Sequence, residues 1–332
     1  MREKSNFYKY CVFIAIFLFI LLFQVSSKWG TGKAEQKIQK NPEIVLKLPW
    51  GSGSLNAGKY EGDEASPQGP MSFFISPSME IYILDQVNRR ILKIHLIKGT
   101  SSVIPINSDT YEDIAVIPDG RIILLDRLVR RAIVVVDEKG KEILSQPVEG
   151  EGIPEGGGIT AMFLQKDGLY LEYNHEYSVK VLNSKLLPCT RKRISGRPSS
   201  QNGRSLLTFK DDSGMVKVKL LDAVSGNDKI QKSFSFGSDL YRIVWLEDDK
   251  KGMIHLVVHL LKEGSMSGLP PEEKVLALKL NSQLEKIGSF ESPYTITVLE
   301  QFKEFQIMDS GEVYQMAFTP EGVILLKWRY EP

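Results

Sequence analysis

Pro77-Ser78-Met79-Glu80-Ile81-Tyr82-Ile83-Leu84-Asp85-Gln86-Val87-Asn88-Arg89-Arg90-Ile91-Leu92-Lys93-Ile94 is repeated 41 residues later as Pro118-Asp119-Gly120-Arg121-Ile122-Ile123-Leu124-Leu125-Asp126-Arg127-Leu128-Val129-Arg130-Arg131-Ala132-Ile133-Val134-Val135. Proline, aspartate, the arginine pair and the apolar runs on both sides coincide without a gap. A self-similar unit of about 40–45 residues, rich in strand-like runs and free of helical periodicity, is the pattern of a propeller blade.

The same spacing divides the chain into six units. Blade one covers 70–109 and blade two 110–157. Blade three, 158–195, repeats the Asp-Gly turn as Asp167-Gly168, with Asn174 six residues after the glycine, as Asp126 follows Gly120. Blade four, 196–238, offers only three clear strands, Ser205 to Lys210, Met215 to Asp222 and Ile230 to Phe236. Blade five takes 239–293 with a long Gly/Pro insertion. The last unit, 294–332, also offers three strands, and the run Glu43 to Trp50 stands alone before blade one. Lending that first strand to the last blade removes an open sheet edge. The expected fold is therefore all-β, a six-bladed β-propeller over 43–332, closed by an N-terminal strand in the last blade and preceded by one N-terminal hydrophobic helix.

The amino terminus carries Arg2, Lys4 and Lys9 before the apolar run Val12 to Phe23. This reads as a signal peptide or N-terminal membrane anchor over 1–27, with 28–42 as a polar linker. The positive flank stays inside, which places the body in the periplasm or at the cell surface, tied to the inner membrane by residues 10–27 if the leader is kept. The whole chain has net charge +1; without the three basic residues and one acidic residue of 1–27 the balance is −1. A nearly neutral body gives no electrostatic basis for nucleic acid as a partner. Cys189 is the only cysteine after the leader, so an exported body rests on its apolar core rather than on disulfides.

Pro, an apolar strand, a strand ending in Asp, then Asn88-Arg89-Arg90-Ile91 resembles the NHL-type repeats of bacterial six-bladed propellers. Met79-Glu80 departs from the usual Asp-Gly, and Val129 from the usual Asn. The resemblance covers 70–137 well, 158–182 and 309–328 faintly. It implies repeat positions at Asp85, Asn88, Arg90, Asp126, Arg131 and Asn174 that lock turns rather than bind ligands. It also implies a non-catalytic binding or scaffolding module of the cell envelope, presenting one face to a protein or glycan partner, with no cofactor. The alternative it carries is a calcium-dependent lactonase or hydrolase with a metal in the central channel, which requires three or more Asp, Glu, Asn or His side chains converging there.

No catalytic motif supports that alternative. Gly264-Ser265-Met266-Ser267-Gly268 has methionine where a serine nucleophile would stand. His255 and His259 fall on one face of a strand, with no metalloprotease glutamate after His255, and no metal site is assigned. The stretch Gly150 to Gly158 carries glutamates that repel phosphate and reads as an interblade loop. Lys185, Arg191, Lys192, Arg193, Arg197 and Arg204 lie in a stretch without acidic residues and form the candidate binding patch, set against the plain reading of a solvated strand and loop.

Overall fold

Runs such as Ile81–Leu84 and Ile122–Leu125 are apolar at every position and buried at every position. A strand sandwiched between neighbouring sheets has no solvent face, so it shows continuous rather than alternating hydrophobicity. In the computed structural model, which describes residues 42–332 apart from 63–65, 202, 237–239, 263–271 and 295–298, these runs are second strands of six four-stranded antiparallel sheets. The leader and all of the linker except Pro42 lie outside the described residues, as does Gly264 to Gly268.

The sheets follow one another along the chain. After β1 (Glu43–Pro49), the first sheet holds β2 (Ser72–Ile75), β3 (Glu80–Asp85), β4 (Arg90–His95) and β5 (Thr100–Pro105); the second holds β6 (Asp113–Val116), β7 (Ile122–Asp126), β8 (Ala132–Val136) and β9 (Glu142–Pro147). The third is β10 (Ile159–Gln165), β11 (Gly168–Tyr173), β12 (Tyr177–Asn183) and β13 (Arg193–Ser195), and the fourth is β14 (Arg197–Pro198), β15 (Arg204–Lys210), β16 (Val216–Asp222) and β17 (Asp228–Phe234). The fifth is β18 (Leu240–Asp248), β19 (Ile254–Lys262), β20 (Glu272–Leu280) and β21 (Lys286–Ser292). In the sixth, β22 (Phe305–Ile307), β23 (Val313–Thr319) and β24 (Gly322–Trp328) are joined by β1, antiparallel to β24 with Glu43 opposite Lys327 and Pro49 opposite Gly322. The architecture is an all-β propeller of six blades. The outer strand β9 alternates where the inner strands β2 and β6 do not: it is half-buried and exposed by turns.

The first and last blades also meet near the axis. The Gln306 side chain donates to the Ile75 carbonyl and accepts the Ile75 N–H, both at 2.8 Å, as a strand neighbour would.

Two sequence expectations need correction. The repeats do not align without a gap: Asp85 pairs with Arg90, whereas Asp126 pairs with Ala132, so the second turn is one residue longer. Arg90 therefore opens a strand while Arg131 sits in the turn with φ +54°, the conformation that Arg89 holds at +51°. In blade three the strand ends at Tyr173, and Asn174 is a turn residue at φ +52°, not the counterpart of Asp126. The buried acid there is Glu172. The strand missing from blade four is the two-residue β14, too short to register as a pattern.

Candidate functional site

Charged residues inside an apolar strand must find partners, because an unpaired buried charge is costly. The inner strands β2, β6, β10, β14, β18 and β22 line the axis and carry several of them. Ser72 opens β2 and donates its hydroxyl to Asp113 Oδ1 at 2.5 Å, and the Lys303 ammonium reaches the same oxygen at 2.9 Å and the Ile114 carbonyl at 3.0 Å. Blades one, two and six are thus tied together at the end of the axis where the inner strands begin, the upper face.

A second tie joins blades three, four and five. Glu172 accepts from the Thr160 hydroxyl at 2.7 Å and from Arg197 Nε and Nη2 at 2.5 and 3.0 Å, and His175 Nδ1 lies 3.0 Å away. Arg197 also donates to the Leu246 carbonyl at 2.7 Å, and its guanidinium lies 5.2 Å from the Phe163 ring centroid and 5.1 Å from that of Trp245. Burial works to raise the Glu172 pKa, yet the charges of Arg197 and His175 hold it down to about 2.

Two other carboxylates are less well served. Glu304 is buried, accepts only from Arg242 Nη2 at 2.7 Å, and leaves Oε2 without a partner among the described residues. Burial pushes its pKa up to about 7. Glu247 lines a 210 Å³ cavity at the lower end of the axis together with Phe74, Met162, Trp245 and Phe305. It accepts from Trp245 Nε1 at 2.9 Å, and burial likewise raises it to about 7 against the pull of that bond and of the Arg197 and Lys303 charges.

The larger opening is on the upper face. Because β14 has two residues, no strand among the described residues pairs with the upper half of β15 on its inner side, and a 600 Å³ cleft opens there between Asn174–Glu176, Leu207–Lys210, Arg242 and Ile243. Exposed apolar side chains stand on the same face: Val129 in the turn after β7, and Tyr241 at the start of β18.

The residues singled out from sequence divide into turn locks and scattered surface charges. Asp85 is fully buried and accepts from the Gly58 N–H, Asn88 Nδ2 and Arg90 Nε at 2.8, 2.9 and 2.8 Å. Asp126 accepts from the Thr110 hydroxyl and from the N–H groups of Val129 and Arg130. Arg131 is exposed, 3.4 Å from Glu149, and Asn174 donates its N–H to the Gly158 carbonyl. Within the basic stretch, Lys185, Lys192, Arg193 and Arg204 are exposed. Arg191 donates to the Pro147 and Val148 carbonyls, and Arg193 covers the Tyr177 ring at 3.4 Å. Arg197 is buried and forms no part of a surface patch. Lys185 follows β12 and Arg204 opens β15, both at the lower end, whereas Arg191 and Arg193 lie against the end of β9 and the start of β12 toward the upper face, so the stretch does not gather on one face.

His255 Nδ1 lies 2.7 Å from the Tyr330 hydroxyl, and His259 Nε2 lies 3.3 Å from a Glu273 oxygen. Four residues of strand separate the two rings by about 13 Å, too far to share an ion. Among the described residues no group of three or more His, Cys, Asp or Glu side chains is placed to hold a metal ion, and no helix is long and apolar enough to cross a membrane.

The axial residues Lys303, Glu304, Arg242, Glu172 and Glu247 were not read from sequence as a site. The available signal was a lone acid within an apolar strand, as in Leu169-Tyr170-Leu171-Glu172-Tyr173, and charge at the head of the last inner strand.

No family model and no curated protein matches the sequence. Solved structures do. Hydrazine synthase of Kuenenia stuttgartiensis superposes with a TM-score of 0.53 at 12% identity, over 77% of this chain and 76% of that one. A member of the DUF4221 family from Bacteroides vulgatus gives 0.49 at 12% identity over 88% and 99%. The calcium-binding protein regucalcin from Agrobacterium tumefaciens gives 0.47 at 14% over 79% and 94%. At such identities the likeness shows the fold alone, and in this chain that fold is a propeller of six blades.

Proposed function

We propose that this chain is an NHL-type propeller of the cell envelope that acts by binding, with the upper face as its docking surface for a protein or glycan partner. The observation that carries this reading is the 600 Å³ cleft on that face. The ion pairs Lys303–Asp113, Arg197–Glu172 and Arg242–Glu304 serve as a floor below it, whereas the cleft itself has exposed apolar and basic walls. Concave sites of this size with a few polar groups are the usual form of a binding site. In the same reading, residues 1–27 export or anchor the body outside the cytoplasm, 28–42 act as a tether, β1 latches the ring shut, and no cofactor is needed.

The test is site-specific photo-crosslinking of the full chain in cells. Probes at Val129 and Tyr241 on the upper face are expected to capture a partner, and a probe at Lys250 in the turn after β18 is not. Adducts from Lys250 alone, or from none of the three, would refute the docking reading. A calcium-dependent rise in melting temperature of the purified chain would instead favour the lactonase-like alternative.

A further inference from the structure

β15 runs for seven residues, but the inner strand beside it is only Arg197–Pro198, so their ladder covers Ser205 and Leu206 and stops. The chain before β14 turns away: the Gly196 N–H donates to the Glu176 carbonyl at 2.8 Å, beside Tyr177 rather than beside the upper half of β15. In an antiparallel ladder, successive residues send their backbone groups to opposite edges. At the hairpin tip the Asp211 N–H donates to the Met215 carbonyl at 2.9 Å, which sets the phase. Phe209, Leu207 and Ser205 bond to β16, and Thr208 and Lys210 direct their N–H and C=O groups toward the cleft.

Neither Thr208 nor Lys210 has a backbone partner on that side among the described residues. Thr208 is 8% exposed, lines the cleft, and its hydroxyl also lacks a hydrogen-bond partner among the described residues. Buried polar groups are bonded as a rule, so an edge that leaves this many unpaired has the form of a binding site awaiting a strand. The walls say which kind. Phe209 and Leu207 offer apolar contact, while Lys210 is exposed and Arg242 is 40% exposed, with one guanidinium nitrogen reaching down to the buried Glu304 at 2.7 Å. Glu176 is the one carboxylate among the cleft-lining residues, against these two cations.

We infer that the upper edge of β15 is a strand-addition site, taking an extended acidic peptide segment of a partner protein in place of the missing inner strand. This deepens, and rests on, the reading of the upper face as a docking surface. The peptide supplies its backbone to Thr208 and Lys210, and its alternate side chains place carboxylates against Lys210 and Arg242.

The experiment is to pan a display library of random octapeptides against the detergent-solubilised full chain and measure the winners by fluorescence anisotropy. Octapeptides with acidic residues at alternate positions are expected to enrich. Thr208→Pro removes one cleft-facing N–H and leaves the β15–β16 ladder intact, since that N–H points away from β16. It is expected to weaken binding about tenfold or more, the loss of a ladder bond together with steric exclusion. Lys210→Glu is expected to weaken binding and to abolish the acidic preference. If Thr208→Pro melts early, peptides N-methylated at alternate amides make the same test on the unaltered protein.

No enrichment, enrichment of basic peptides, or binding unchanged by both Thr208→Pro and N-methylation would overturn the inference. If upper-face crosslinks persist in Thr208→Pro, strand addition fails while the docking surface stands. If crosslinks and peptides are both lacking in the unaltered protein, both fail.

Discussion

Asp85 and Glu172 are both buried carboxylates closed by an arginine, and they do different work. Asp85 takes Arg90 from its own hairpin, and Arg90 spends its other donors on the carbonyls of Ser52, Gly53 and Asn56, at 3.0, 2.8 and 2.8 Å. The result holds one turn and the loop beside it. Glu172 takes Arg197 from the next blade, and Arg197 continues to the Leu246 carbonyl of the blade after that. One lock is local, and its aspartate recurs with the repeat at Asp126 while its arginine does not; the other spans three blades and occurs where the repeat is broken. The pair sits at the short β14: Arg197 is one of its two residues, and its guanidinium ties the neighbouring blades together just below the place where β15 loses its inner ladder among the described residues.

If this distinction is right, Arg197→Met gives the largest loss, about 3–5 kcal/mol, because it strands a buried carboxylate and frees a carbonyl in a second blade. Urea unfolding measures it, and the double variant with Glu172→Gln should recover a large part. The same pair sets an acid limit. The Glu172 pKa is lowered from 4.5 to about 2, so its stabilisation is complete above pH 4.5 and is lost as pH falls through 2, a loss that Glu172→Gln should lack.

Arg90→Met should cost less, about 2–3 kcal/mol, and locally. Hydrogen exchange should quicken at Gly58 and leave blade four unchanged; a global effect equal to that of Arg197→Met would erase the comparison. Glu304 works in the opposite sense. Its pKa is raised to about 7, so between pH 4.5 and 7 the folded state keeps a proton that the unfolded state releases, and stability falls as pH rises through that window. Glu304→Gln should flatten that slope and gain about 2 kcal/mol at pH 8, read from melts at several pH values. Last, Arg131 holds φ +54° in an exposed turn, and Arg131→Gly should stabilise by about 0.5–1 kcal/mol, seen as a small upward shift in Tm.

Blades one and two were legible because their locks are written within one hairpin: proline, apolar run, Asp, turn, apolar run. The placement of strands such as Ile81–Asp85 follows directly, since sandwiched strands have no polar positions to confuse the pattern. The one-residue slip between the two turns was not legible, because Arg-Arg occurs in both and a gapless match looks better than the true register. Arg197 was misread for a related reason. Along the chain it sits among Lys185, Arg191, Lys192 and Arg193, and only the three-dimensional meeting of Glu172, Phe163 and Trp245 draws it inward. Buried charge pairs far apart in sequence leave no periodic trace, and neither does a strand of two residues.

The pairing of β1 with β24 also has a consequence for timing. The first strand emerges from the ribosome almost three hundred residues before its partner, an interval of about 15–60 s at 5–20 residues per second. Over that interval Glu43–Pro49 has no ladder, and the half-built disc has two raw edges rather than none. Those edges close only on delivery of the last seven-residue strand, Gly322–Trp328, so a chaperone that shields β-edges would act on this chain before that point.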